Sequence, residues 1–220
     1  MQTTNENRAR GLHMIVSNQV SGIDPRINES EPLLRWAGLV TLLATVVATP
    51  AWIASVVQED PLSGWPIIAT FVALLLAVPA IFVVQSSYMG RLGRIGFVLT
   101  MIGGIFEVAG MTTVLVIQAK VGLHGHEKFI MSGSVAPHML ALSALALLFY
   151  LGVVLFGVAT VRAGIFPRRS GQLVITGSVA MVAGALPDIT GLVAAGAILL
   201  FAGFAWMGWQ LWIRRPERLI

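Results

Sequence analysis

The chain has 220 residues, of which 56% are hydrophobic and 11% charged, a balance that leaves too little polar surface to cover a water-soluble fold of this size. The lack of cysteine excludes disulfides, thiolate nucleophiles, iron–sulfur clusters and zinc–thiolate sites. A net charge of +4 would raise nucleic-acid binding in a soluble domain, but here the basic residues sit at the ends of apolar segments and report topology, so no nucleic-acid partner is expected.

Residues 1–32 are polar and read as an irregular cytoplasmic tail, part of it lying on the membrane surface. No run within it has the apolar core of a signal peptide, and His13 is read as solvated. Six apolar blocks follow, at about 34–57, 65–86, 95–119, 137–161, 172–187 and 189–213. Crossing ~30 Å of hydrocarbon takes roughly 20 helical residues. The expected fold is therefore an all-α polytopic membrane protein, a bundle of six transmembrane helices over residues 33–213 with a basic cytoplasmic C-terminus at 214–220. The fifth block is the shortest and ends at Leu186-Pro187-Asp188, where proline stops the helix and Asp188 is placed to cap the next one.

Orientation follows from the basic residues. Arg8, Arg10, Arg26 and Arg35 precede or open the first span. Arg91 and Arg94 lie in the second loop, Arg162, Arg168 and Arg169 in the fourth, and Arg214, Arg215 and Arg218 at the C-terminus. The opposite side holds only Lys120 and Lys128. The positive-inside rule then puts both termini in the cytoplasm and the loop after the third span outside. Trp36 and Tyr88 at inner ends and Trp52 and Trp65 at outer ends suit the headgroup level. Trp206, Trp209 and Trp212 cover one side of the sixth helix before the terminal arginines and read as an anchor.

Each odd-numbered span opens with arginine, glycine and an apolar run containing threonine: RWAGLVT from Arg35, RIGFVLT from Arg94 and RSGQLVIT from Arg169. Three weakly repeated hairpins would explain this, as would an inner arginine next to a small packing residue. Helices in lipid associate by close approach, so small residues at helical spacing mark packing faces. Such faces are Gly96, Gly103 and Gly110 in the third span, Gly177, Ala180 and Gly184 in the fifth, and Gly196 and Gly203 in the sixth.

Glu107 is the one carboxyl deep inside an apolar block, on the glycine face of the third span. A charge there costs about 2.5–3.5 kcal/mol on insertion scales, so the group must be protonated, paired or facing water. No lysine or arginine lies at its depth. Tyr150, some twelve residues inward of His138 on the antiparallel fourth helix, falls at about the same level at ~1.5 Å per residue. A hydrogen bond from Glu107 to Tyr150 is expected, with Thr100, Thr112, Ser143 and Ser178 as other partners. Two readings of Glu107 stand side by side: a proton relay or substrate contact, and a neutral acid tying helices together.

The loop LHGHEKF offers His124, His126 and Glu127, and His138 opens the next helix. Imidazoles two apart in an extended segment point the same way, so with His138 or Glu127 they would complete a zinc or copper site. The same residues also read as solvated loop histidines and a helix-end anchor. An HExxH zincin is excluded, because Ile130 stands four after His126. No phosphate loop, dinucleotide fingerprint or nucleophile elbow is present, and no catalytic residue and no cofactor is expected beyond that metal reading.

The run ATVRAGIFPRRSGQLVITGSVAMVAG, residues 159–184, carries Arg162, Gly164, Phe166, Pro167, Arg168 and Gly171 between two helices. It resembles the helix–turn–helix signature of small bacterial six-helix membrane proteins of unknown function. The resemblance implies that fold and a bacterial inner-membrane location, and no reaction. The leading functional expectation is a non-catalytic accessory or interaction protein, with the bilayer and other membrane proteins as partners. The alternatives are a small proton-coupled transporter using Glu107 and an outward-facing metal-dependent enzyme using His124, His126 and His138.

Overall fold

The computed structural model describes residues 25–58, 64–121, 136–185, 187 and 189–213. They contain six helices: α1 (Pro25–Gln58), α2 (Gly64–Gln85), α3 (Gly90–Val121), α4 (Ala136–Ala163), α5 (Arg168–Ala185) and α6 (Thr190–Ile213). No strand occurs among the described residues. The chain divides into residues 1–33 and 34–220, and the packing below is that of the second unit.

Four helices carry stretches long and apolar enough to cross a membrane: Trp65–Gln85, Gly90–Lys120, Leu140–Ala163 and Thr190–Ile213. This is a helical protein of membrane type. In α1 the described apolar stretch, Pro32–Val47, is shorter. Helix α5 has 18 residues and opens with Arg168, Arg169, Ser170 and Gln172, so it is less apolar than its neighbours.

Several helix ends lie outside the apolar blocks. The tail expected to be irregular as far as residue 32 is helical from Pro25, where proline at a first helical position loses no hydrogen bond. Polarity limits how far a segment enters lipid and does not oppose helix formation, so apolar-block limits misplace the start. Likewise α3 begins at Gly90 and not at 95, and α5 at Arg168 and not at 172. Gly90, with φ 60°, takes the left-handed conformation that reverses the chain after the α2 end, where the Tyr88 and Met89 nitrogens bond the Gln85 carbonyl. Gly164, with φ 68°, plays the same part after α4. The end of α5 at Ala185 precedes the expected 187, because Pro187 disfavours helix at the residue before it.

Backbone contacts through glycine set the packing. An added Cβ on Gly96 would stand 2.6 Å from the Phe156 nitrogen, and those on Gly103 and Gly152 would collide with the backbones of Phe149 and Thr100. These pairs keep one antiparallel register between α3 and α4 for two turns. In α5 and α6, Gly177 faces Leu200, Met181 faces Gly196, Val174 faces Gly203 and Gly184 faces Val193, one register over the whole hairpin. Gly157 and Gly171 bring α4 against α5, and an added Cβ on Gly38 or Gly208 would stand 2.7 Å from the other's carbonyl oxygen, which joins α1 closely to α6. Two of the three expected hairpins are therefore intimate helix pairs, whereas the glycine contact of α1 is with α6. Gly110, grouped with Gly96 and Gly103 by its spacing, differs from them: a Cβ there would meet nothing within 4 Å among the described residues.

Helix α2 fills the centre with Ile67, Phe71, Leu74, Val78, Ile81 and Gln85, alternately four and three residues apart and all buried. Phe71 meets Phe149 of α4 and Phe201 of α6 edge-on, with centroids 5.5 and 6.2 Å apart. Phe82 stacks on Phe97 of α3 at 4.2 Å. The opposite faces are apolar and exposed, as in Ile95, Val98, Ile102 and Ile105 of α3, which is the side a helix offers to lipid.

Two alanine substitutions separate these cases. Gly103→Ala forces backbones apart and is expected to cost about 1–3 kcal/mol of unfolding free energy in detergent. Gly110→Ala enters open space and is expected to be neutral or to stabilise by up to ~1 kcal/mol through helix propensity. Denaturant titration followed by circular dichroism measures both.

Candidate functional site

The feature with chemical content is where α3 and α4 stop touching backbone to backbone. One turn beyond Gly103, Glu107 and Tyr150 bridge the two helices, and the Tyr150 hydroxyl donates to Glu107 Oε1 at 3.1 Å. Side chains on a helix lean towards its own N-terminus. On antiparallel helices that brings Glu107 back towards Gly103 and Tyr150 out towards the start of α4, so they meet although their Cα positions are staggered. Both are half-buried. The Tyr150 ring stands edge-on to Phe149 at 5.2 Å, which ties the phenol to the central aromatic cluster.

The other partners considered for Glu107 are engaged elsewhere or turned away. Thr100 donates to the Gly96 carbonyl at 2.8 Å and Thr112 to the Val108 carbonyl at 2.7 Å, each within its own turn. Ser143 is exposed, and Ser178 is fully buried in α5 with no hydrogen-bond partner for its hydroxyl among the described residues.

Of the three histidines, His138 is exposed in the first turn of α4. His124, His126 and Glu127 lie outside the described residues, as does the expected cap Asp188. Among the described residues no group of three or more metal-ligating side chains converges. The zinc or copper reading of the loop therefore stays an expectation from the sequence.

A second polar contact escaped sequence reading. Gln85, at the end of α2, is fully buried and its Nε2 donates to Thr160 Oγ1 of α4 at 3.1 Å. Thr160 passes the chain on by donating to the Phe156 carbonyl at 2.9 Å. Gln85 Oε1 has no partner among the described residues. A glutamine closing an apolar run normally reaches water; here it is fully buried and turned to α4. The one legible signal was its place, seven residues after Val78, on the buried stripe of α2.

The antiparallel registers bring Arg35, Arg91, Arg94, Arg162, Arg168 and Arg169 to one end, all exposed. Lys120 and His138 are exposed at the other. Trp36, Tyr88 and Trp209 are exposed near the arginine end, and the Arg35 guanidinium lies 5.5 Å from the Trp212 ring centroid. No protein-family model, curated protein or solved structure matches the chain.

Tyr150→Phe removes the bridge while keeping the ring. It is expected to cost about 0.6–1.7 kcal/mol, the range of interhelical hydrogen bonds in membranes, and the cost is expected to vanish in a Glu107→Leu background, which removes the acceptor, if the two act as a pair. At the other contact, Thr160→Val strands the Gln85 amide and is expected to destabilise by about 1–3 kcal/mol, most of it recovered by adding Gln85→Met. Unfolding titrations of the single and double variants measure both couplings.

Proposed function

We propose that the chain is a six-span protein of the bacterial inner membrane with both termini in the cytoplasm, and that it works without intrinsic catalysis as an accessory or interaction protein. The observation that carries this reading is the Glu107–Tyr150 hydrogen bond: the carboxyl deep in α3 joins two helices whose backbones are already in contact. Such a hydrogen bond supplies a helix-to-helix tie without any transported proton or substrate. The gathering of arginines at one end supports the orientation, since lysine and arginine concentrate on the cytoplasmic side. The signature at residues 159–184 supports the bacterial inner membrane and the six-span plan.

A second reading, proton-coupled transport through Glu107, is favoured by that residue's incomplete burial. Proteoliposomes carrying a pH gradient distinguish the two. The accessory reading expects the wild-type chain to dissipate the gradient no faster than empty vesicles, with Glu107→Gln indistinguishable from it. A protein-dependent flux abolished by Glu107→Gln would replace that reading with transport. Because the chain lacks cysteine, single cysteines at Arg91 and Lys120 report orientation directly: an impermeant thiol reagent on intact cells is expected to label Lys120→Cys and spare Arg91→Cys.

A further inference from the structure

The outer face of the α4–α5 pair is polar at its arginine end. Gly157 and Gly171 fix the line along which the two helices touch. Phe149, Gly152 and Phe156 turn α4 towards α3 and the central Phe71, and Val174, Gly177 and Met181 turn α5 towards α6. At about 100° per residue both sets lie on one side of that line, while Arg162 of α4 and Arg168 and Gln172 of α5 lie on the other. All three are exposed, as are Thr176 one turn on along α5 and, farther on, the apolar Leu151 and Val179. Both helices and the connection between them are described without a break. Neither arginine has an ion-pair partner among the described residues, and the Gln172 amide has no hydrogen bond there. Beyond the first turn of each described helix, the other threonines donate to a carbonyl one turn back, whereas the Thr176 hydroxyl makes no such bond.

We infer that this face binds one anionic phospholipid, with its phosphate between Arg162 and Arg168 and its ester carbonyls on the Gln172 amide and the Thr176 hydroxyl. The headgroup layer on each side of the hydrocarbon is about 5–8 Å thick. Gln172 and Thr176 stand ~6 and ~12 Å along α5 from Arg168. With Arg168 at the phosphates, the amide therefore falls where the esters begin and the hydroxyl at the edge of the hydrocarbon, where an unpaired donor is costly. Cation, donors and then Val179 succeed one another along α5 in the order of a phospholipid's own phosphate, esters and acyl chains. Guanidinium forks also match phosphate oxygens in shape. A second copy of the chain fits this face less well, because a two-fold contact sets arginine against arginine. A zwitterionic lipid fits less well too, since it brings a cation along with its phosphate. The inference rests on the membrane class of the bundle and on neither functional reading above.

Thermal unfolding of the full-length protein in a neutral detergent, titrated with phosphatidylglycerol, tests it, since a ligand of the folded state raises the midpoint with its concentration. Phosphatidylglycerol is expected to stabilise at lower concentration than phosphatidylcholine of the same chains. Arg162→Gln and Arg168→Gln are each expected to weaken its apparent affinity about five-fold. Arg91→Gln removes the same charge at the level of Arg162, but on the lipid stripe of α3 with Ile95 and Val98, and is expected to leave the affinity unchanged. The ether-linked analogue, which lacks the carbonyls, is expected to bind the wild-type chain about five-fold more weakly than the ester lipid, a difference that Gln172→Leu abolishes. An equal loss in Arg91→Gln would reduce the site to the general charge of that end. Equal binding of ester and ether lipids by the wild-type chain, or no advantage over phosphatidylcholine, would overturn the inference without recourse to any variant. So would competition by free glycerol phosphate as effective as that of the lipid, or a dimer of the chain that Gln172→Leu dissociates.

Discussion

Close approach of helix backbones through glycine is the constraint on which the bundle depends. In hydrocarbon a leucine gains little by facing another helix instead of a lipid tail, so association must come from dispersion contacts and polar ties that only near-touching backbones allow. Gly96, Gly103 and Gly152 supply that approach between α3 and α4, and Gly177, Gly184, Gly196 and Gly203 between α5 and α6. Each contact also sets register, because a small-residue notch accepts a neighbouring helix at one height only. The central helix α2 works differently: it brings large side chains, Phe71 above all, into the space the glycine-paired helices enclose.

The two polar ties follow from this geometry. Gln85 to Thr160 and Tyr150 to Glu107 both reach α4, one near the arginine end and one beyond the last glycine contact. They differ in surroundings. Gln85 and Thr160 are enclosed on all sides, so their bond matters chiefly through the penalty of losing it. Glu107 and Tyr150 are half-buried beyond the last glycine contact of α3 with α4, so their bond is less enclosed.

The ends of the molecule are unlike. Among the described residues of the packed unit, six arginines decorate one end and Lys120 the other, with exposed aromatic side chains near the headgroup level. At the arginine end Met89 and Phe166 are buried in the connections. The described residues thus gather most of their positive charge at one end. That asymmetry gives a membrane protein of this size a direction.

Helical character, membrane class, the approximate place of each helix and the isolation of Glu107 were all legible in the sequence, because hydropathy blocks and a lone carboxyl among apolar residues are local properties. The pairing of Glu107 with Tyr150 was also within reach, as antiparallel neighbours of known rise put the two at nearly one level, and the lean of their side chains closes the remaining stagger. Tertiary structure decided what depends on neighbours. It enclosed Gln85, left Gly110 without a close neighbour among the described residues although its spacing matched Gly96 and Gly103, moved the start of three helices beyond their apolar blocks, and placed α1 against α6. Spacing shows which residues share a face, but whether another helix covers that face at a given height is a property of the packed bundle. Glu107 therefore reads from the sequence as an intramembrane acid, and only the fold shows it one turn beyond the last backbone contact of α3 with α4.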